Sequence, residues 1–474
     1  MRKACAVLGA LLLCAAPALA AEETVHYGRF GPVVLYSRAP VPSRVVLFIS
    51  GDGGWNLGVV DMARELAGLD ALVVGIDITR YLKNLAQGDG ACSYPAADFE
   101  ALSKFVQKRR GFPRYVPPVL VGYSSGATLV YAVLVQAPAG TFQGGVSLGF
   151  CPDLQLAKPL CRGAGGLAWK GPDSKHTYWF GPSAGLATPW IALQGTIDQV
   201  CEPAATEAYV RKVGRASIVL LPKVGHGFSV PRNWMPQFRE AFARLVAAAE
   251  PAASPAPLAS AEPKEMTRAS VAGLPLVEVP SADPGDTLAL MVSGDGGWAG
   301  LDRELAAVLA RRGVPVVGLD TLQYFWSAKS PDAAAADAER ILRHYLAAWR
   351  REKVLLIGYS FGADVLPFIA SRLPGDLAAR VRLVALLGPA RSAQFEFHIL
   401  EWVSDRGGKD DLPVLPEIGK LGALRVLCLD AQETRDSPCA SLAPGQGRAV
   451  TLKGGHHFGG DYAGIAEIIL SELK

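Results

Sequence analysis

A chain of 474 residues with 47 Lys and Arg against 44 Asp and Glu carries a formal charge of only +3. That balance excludes proteins that hold nucleic acid through a marked basic excess. The length is enough for two independent cores of roughly 200 residues each.

Residues 1–20 begin with Arg2 and Lys3, continue through an apolar stretch over 6–16, and end on the small residues Ala18 and Ala20. This pattern predicts a secretory signal peptide cleaved near Ala20. A lipid anchor on Cys14 is disfavoured because Leu13 precedes it where a small residue is wanted. Without Arg2 and Lys3 the formal charge falls from +3 to +1. The apolar run 119–139 is long enough to suggest a membrane span, but Gly122, Ser124 and Gly126 interrupt it. Strand, turn and helix is the better reading, and the expectation is an exported protein without a membrane span.

One motif series then runs through the chain twice. Ser-Gly-Asp-Gly-Gly-Trp begins at Ser50 and again at Ser293, Gly-Tyr-Ser-x-Gly begins at Gly122 and Gly358, and Gly-His-x-Phe begins at Gly225 and Gly455. Three linked motifs repeated in one order indicate duplication of a whole domain, not a short solenoid period. Apolar, β-branched strands are predicted over 45–49, 72–76, 119–121, 146–148 and 191–194, and again over 288–292, 314–319, 354–357, 382–387 and 424–429. Amphipathic helical stretches such as 301–312 and 336–349 lie between them. Buried strands alternating with helices predict a mainly parallel sheet covered on both faces. The expected fold class is α/β, with two tandem, doubly wound, α/β-hydrolase-like domains over 21–248 and 271–474. Residues 249–270, rich in Ala and Pro, read as an extended linker.

Six cysteines remain beyond the leader: Cys92, Cys151, Cys161, Cys201, Cys428 and Cys439. An even number in an oxidising compartment predicts disulfides. Local spacing favours Cys151 with Cys161 and Cys428 with Cys439, leaving Cys92 for Cys201. No metal is expected, because no Cys-x-x-Cys accompanies paired histidines.

Gly-x-Ser-x-Gly carries meaning where a strand runs into it and a helix follows, since glycines let the sharp turn close and project the serine. Both copies have that context, so Ser124 and Ser360 are the candidate nucleophiles. A serine hydroxyl needs a base, and imidazole suits that task near neutral pH. His226 and His456 occupy matched positions late in each copy, His456 being preferred over its neighbour His457 by alignment. A carboxylate must orient the imidazole. Asp198 is the choice in the first copy; in the second, counting back from cysteine selects Asp436, whereas counting from the strand end selects Glu433. The Ser-Gly-Asp-Gly-Gly-Trp loops offer backbone donors for an oxyanion. Gly53, Gly54 and Trp55, with Gly296, Gly297 and Trp298, are the candidates for one wall, and the N–H of Ser125 or Phe361 for the other. Asp364, four residues after Ser360, is placed to receive a cationic part of a substrate, although a capping role serves it equally well. Asp295 is a further candidate substrate-binding residue.

The combination of Ser-Gly-Asp-Gly-Gly-Trp, Gly-Tyr-Ser-Phe-Gly-Ala-Asp-Val and Gly-Gly-His-His-Phe resembles the bacterial VirJ/AcvB family, most specifically over 288–473 and in its longer, two-domain form. The resemblance implies a periplasmic α/β-hydrolase fold and hydrolysis of aminoacylated phosphatidylglycerol, releasing the lysyl or alanyl group. It matches Ser360 to the family's nucleophile, with Asp436 and His456 as the expected triad and Ser124, Asp198 and His226 as a second set. Acyl transfer to serine and then to water requires no cofactor. The expected partner is an aminoacylated phospholipid at the membrane surface, where Tyr324, Phe325 and Trp326 are candidate contacts, though such aromatics more often belong to a core. The family resemblance also suggests secretion-system proteins as partners, and the alternative function is a non-catalytic binding or chaperone module of an export apparatus.

Overall fold

A computed structural model describes residues 21–88, 90–247, 271–397, 411–434, 437–443 and 445–473. The expected leader, the expected linker and Asp436 lie outside the described residues.

The first half builds an eight-stranded sheet from β1 (Ala21–Tyr27), β2 (Gly31–Ser37), β3 (Arg44–Ile49), β4 (Ala71–Ile76), β5 (Val119–Tyr123), β6 (Gly144–Leu148), β10 (Trp190–Gly195) and β11 (Ala216–Leu221). A small three-stranded sheet, β7 (Asp153–Gln155), β8 (Trp169–Lys170) and β9 (Thr177–Phe180), is inserted between β6 and β10. The order of the large sheet is β1-β2-β4-β3-β5-β6-β10-β11. From β4 to β11 neighbouring strands run parallel, while β1 and β2 are antiparallel at one edge.

The second half repeats the plan with β12 (Leu276–Val279), β13 (Thr287–Val292), β14 (Val316–Leu319), β15 (Lys353–Tyr359), β16 (Val381–Leu387), β19 (Val426–Ala431) and β20 (Arg448–Leu452). Their order is β12-β14-β13-β15-β16-β19-β20, with β17 (Ser392–Ala393) and β18 (Leu412–Pro413) forming a separate ribbon. Again only the edge strand β12 is antiparallel to its neighbour.

The apolar runs explain this architecture. Alternate residues of β3 enter opposite cores, Val45, Leu47 and Ile49 on one face and Val46 and Phe48 on the other. A strand buried on both faces cannot show polar alternation, and it needs helices above and below. All ten strands read from sequence are present. The strands missed are mostly edge or inserted ones such as β11 and β20, which are only partly buried at the sheet edge although β11 itself, Ala216–Leu221, is apolar in sequence. The helix read as 336–349 begins earlier, at Pro331, because Ser330 caps the N–H of Ala333 and proline suits the first turn. Among the described residues no helix is long and apolar enough to cross a membrane.

Two of the three expected cysteine pairings are corrected. The disulfides are Cys92–Cys161, Cys151–Cys201 and Cys428–Cys439. Local spacing misled because the sheet brings distant residues together. Cys151 and Cys201 follow the adjacent strands β6 and β10, and the Cys161 N–H donates to Ser93 O at 2.8 Å, aligning Cys161 with Cys92. The aromatic trio 324–326 is also relocated: Tyr324, Phe325 and Trp326 are at most 4% exposed. Trp326 packs between the halves, its indole N–H donating to Phe112 O at 2.7 Å and its ring lying 5.5 Å from Tyr115.

Candidate active site

Both serines stand on a strained turn between a central strand and a helix. Ser124 has φ 55° and Ser360 φ 52°, in the left-handed region that costs a side-chain-bearing residue energy. The flanking glycines make the turn possible. A Cβ on Gly122 would lie 2.2 Å from Gly126 O, and one on Gly362 would lie 2.1 Å from Val292 O. At the first helical position, the N–H of Ser125 and of Phe361 has no intrahelical acceptor.

Each serine meets its predicted histidine. Ser124 Oγ is 3.0 Å from His226 Nε2, and Ser360 Oγ is 2.8 Å from His456 Nε2. Each imidazole lies over a glycine at the end of the next strand, Gly149 or Gly388, where a Cβ would approach the ring to 3.2 or 3.0 Å. The tyrosine before each serine anchors the histidine backbone: Tyr123 donates to His226 O at 3.0 Å and Tyr359 to His456 O at 3.4 Å.

Behind the rings the two sites differ. His226 Nδ1 is 2.9 Å from Asp198 Oδ2, completing a serine, histidine and carboxylate chain. Burial pushes the Asp198 carboxyl up, but the N–H groups of Cys201 and Val200 and the His226 ring outweigh it and hold the group below its usual range. Gln194 donates a further bond to Asp198 Oδ2 at 3.0 Å. Asp198, Cys201 and His226 converge closely enough to suggest a metal trio. The Cys201 sulfur is bonded to Cys151 and offers no thiolate.

In the second site Asp436 lies outside the described residues, and among those described no carboxylate hydrogen-bonds to His456 Nδ1. Glu433 Oε2 stands near Gly455, 3.2 Å from where a Cβ would be, without a bond to the ring. The strand register corrects the count that selected it. Leu193 pairs with Leu148 and Leu429 with Leu387, and Asp198 N bonds Gly195 O as Thr434 N bonds Ala431 O. The position matching Asp198 is therefore Thr434, and Asp430 matches Gln194. Burial and the neighbouring His457 lower the His456 pKa, while Asp295 and Asp430 act in the opposite sense.

The oxyanion wall also needs correction. Gly54 N–H donates to Gly51 O at 3.0 Å and Trp55 N–H to Asp77 Oδ2 at 3.3 Å. In the second copy Gly297 N–H donates to Gly294 O at 3.0 Å and Trp298 N–H to Asp320. These four donors are taken up, the glycines' within their own turns and the tryptophans' by the aspartate that follows the next strand. Gly53 and Gly296 remain as loop donors, on a segment that passes the nucleophile closely: a Cβ on Gly51 would be 3.0 Å from the Ser124 Cβ, and one on Gly294 3.6 Å from the Ser360 Cβ. The tryptophans have a packing role, Trp55 lying on Gly75 and Trp298 on Gly318. Asp77 and Asp320, which clamp the loops, were missed in the sequence. Their signal was a fourth repeat, Gly-Ile-Asp at Gly75 and Gly-Leu-Asp at Gly318.

Asp364 is half-buried, and its Oδ1 accepts the Ala390 N–H at 2.6 Å. Burial pushes its carboxyl up to about 8, opposed by that N–H and reinforced by the charge of Asp295. Its counterpart Thr128 instead donates to Cys151 O at 2.6 Å. Asp295 thus bears on both Asp364 and His456, and Asp430 acts on His456 as well. Asp295 has its counterpart in Asp52 of the first copy, whereas Thr128 and Gln194 stand there in place of Asp364 and Asp430.

A mainly parallel sheet with a serine on a strained strand-to-helix turn and a histidine at hydrogen-bond distance defines an α/β-hydrolase-type protein, here in duplicate. Solved structures similar to this chain cover about half of it. Est1E from Butyrivibrio proteoclasticus is 11% identical with a TM-score of 0.32, covering 48% of this chain and 99% of its own. An α/β serine hydrolase without lid from Xanthomonas campestris is 22% identical with a TM-score of 0.30, covering 49% and 95%. A putative dienelactone hydrolase from Klebsiella pneumoniae is 16% identical with a TM-score of 0.33, covering 48% and 97%. The chain belongs to the bacterial virulence protein (VirJ) family, which matches residues 43–146 and 286–474. No curated protein sequence matches it.

Proposed function

We propose that this protein is an exported, periplasmic serine esterase that hydrolyses the aminoacyl ester of lysyl- or alanyl-phosphatidylglycerol. The observation that carries the esterase reading is the placement of Ser124 and Ser360, each on a strained turn with an imidazole nitrogen at 3.0 or 2.8 Å. Serine Oγ attacks the aminoacyl carbonyl while the histidine takes its proton; the C–O bond to the lipid glycerol breaks, and that oxygen receives the proton. Water then attacks the acyl-serine through the same base, releasing the amino acid and restoring the hydroxyl. The N–H groups of Phe361 and Gly296, or of Ser125 and Gly53, are the candidate donors to the developing oxyanion.

The Ser360 site suits an aminoacyl group because that group carries an ammonium, and the charges of Asp295 and Asp430 favour positive charge at His456. Three disulfides fit an oxidising compartment. A non-catalytic export module, the competing reading, would leave two aligned serine and histidine pairs without a task. Labelling with a fluorophosphonate followed by peptide mapping tests the esterase reading. Adducts on Ser360 and Ser124 are expected, and a folded protein that labels at neither would overturn it.

A further inference from the structure

We propose that Lys104, in the first half, is a positioning residue for the Ser360 site in the second half, an inference that rests on the serine-esterase reading. Lys104 lies on the helix Pro95–Arg109 and is 5% exposed. Its ammonium donates to Asp295 O at 3.2 Å, pairs with Glu100 at 2.8 Å and sits 5.1 Å from the Phe397 ring centroid. A buried lysine is costly unless its charge is satisfied, and one of its partners here is a backbone carbonyl of the loop that passes Ser360.

That carbonyl belongs to the Asp295–Gly296 peptide. In a trans peptide the C=O and N–H point in opposite directions, so a cation holding Asp295 O toward the first half fixes the Gly296 N–H facing away from it. Gly296 itself backs onto the same helix, a Cβ there lying 4.0 Å from Glu100 Oε1.

Comparison of the two copies indicates why an external brace is needed. In the first loop Asn56 Nδ2 donates to Gly53 O at 2.5 Å, tying the glycine turn to its own helix start. In the second copy the matching residue is Ala299, which has no such donor. The second loop lacks this internal tie, and the neighbouring carbonyl is held by Lys104 instead. The duplicated first half thereby completes a part of the second site that the second half does not build alone.

The test uses the full chain with Ser124→Ala, so that p-nitrophenyl acetate turnover and fluorophosphonate labelling report on Ser360. Lys104→Met is expected to lower kcat about tenfold to hundredfold, as for a misplaced catalytic group, with KM nearly unchanged. Adding Ala299→Asn, which restores the internal tie, is expected to recover much of that loss. In a Ser360→Ala background the same Lys104→Met change should leave Ser124 turnover intact, which also reports that the first half folds. Equal Ser360 rates with and without Lys104, in a protein that labels normally, would overturn the inference alone. Absence of Ser360 labelling and turnover with Lys104 intact would overturn it together with the esterase reading beneath it.

Discussion

His226 and His456 meet their serines at nearly the same distance but differ in what surrounds the ring. His456 is held below its ordinary pKa by burial and by His457, so it stays neutral, and able to accept a proton, to a lower pH than a free imidazole. The acid limb of kcat/KM for the Ser360 site is therefore expected below the ordinary value of about 6.5. His457→Ala removes one of the two lowering influences and should move that limb upward; a limb that stays in place would show that His457 has no electrostatic part. Asp364 presents the opposite case. Its folded-state carboxyl, raised to about 8, keeps its proton while the unfolded chain loses one near 4. The native state is thus progressively disfavoured as pH rises from about 4 to 8. Asp364→Asn retains an acceptor for the Ala390 N–H, so its thermal stability relative to the parent should increase across that interval. A constant difference in Tm would contradict the burial assigned to this carboxyl.

At the scale of elements, the loops after β6 and β10 are tied by Cys151–Cys201, and the Cys201 N–H holds Asp198 at 2.9 Å. A cross-link over a separation of 50 residues is worth about 4 kcal/mol on the chain-entropy estimate. Replacing both cysteines by alanine should destabilise the first half by a similar order and lower Ser124 turnover, while Ser360 turnover persists; an unchanged Ser124 rate would show that Asp198 is placed without the bridge. What was legible in the sequence follows the same physical line. Central strands such as 288–292 are apolar on both faces, and the serine turn needs glycine, so both announce themselves. The Asp198 pairing was legible because its turn is short and holds one acid. Contacts made by tertiary folding were not legible. Cysteine pairs across neighbouring strands, the loop N–H groups taken up by Asp77 and Asp320, and the burial of Trp326 between the halves all depend on which strands become neighbours. The count that favoured Glu433 failed by one residue, an error that only the β16–β19 register reveals.

For the whole molecule, duplication has produced two sites with one frame and different surroundings. The first carries an oriented carboxylate behind its histidine; the second has Asp295 and Asp430 acting on its histidine and leans on the first half through Lys104, Lys108 and Trp326. On the function proposed above, aminoacyl-lipid hydrolysis belongs to Ser360. The most direct measurement is release of free lysine and alanine from vesicles containing lysyl- and alanyl-phosphatidylglycerol, comparing the mature chain with Ser360→Ala and Ser124→Ala. Release by the parent and by Ser124→Ala, abolished in Ser360→Ala, is the predicted result. No release by any of the three, with the parent folded, would contradict the assignment of this chain as an aminoacyl-lipid esterase.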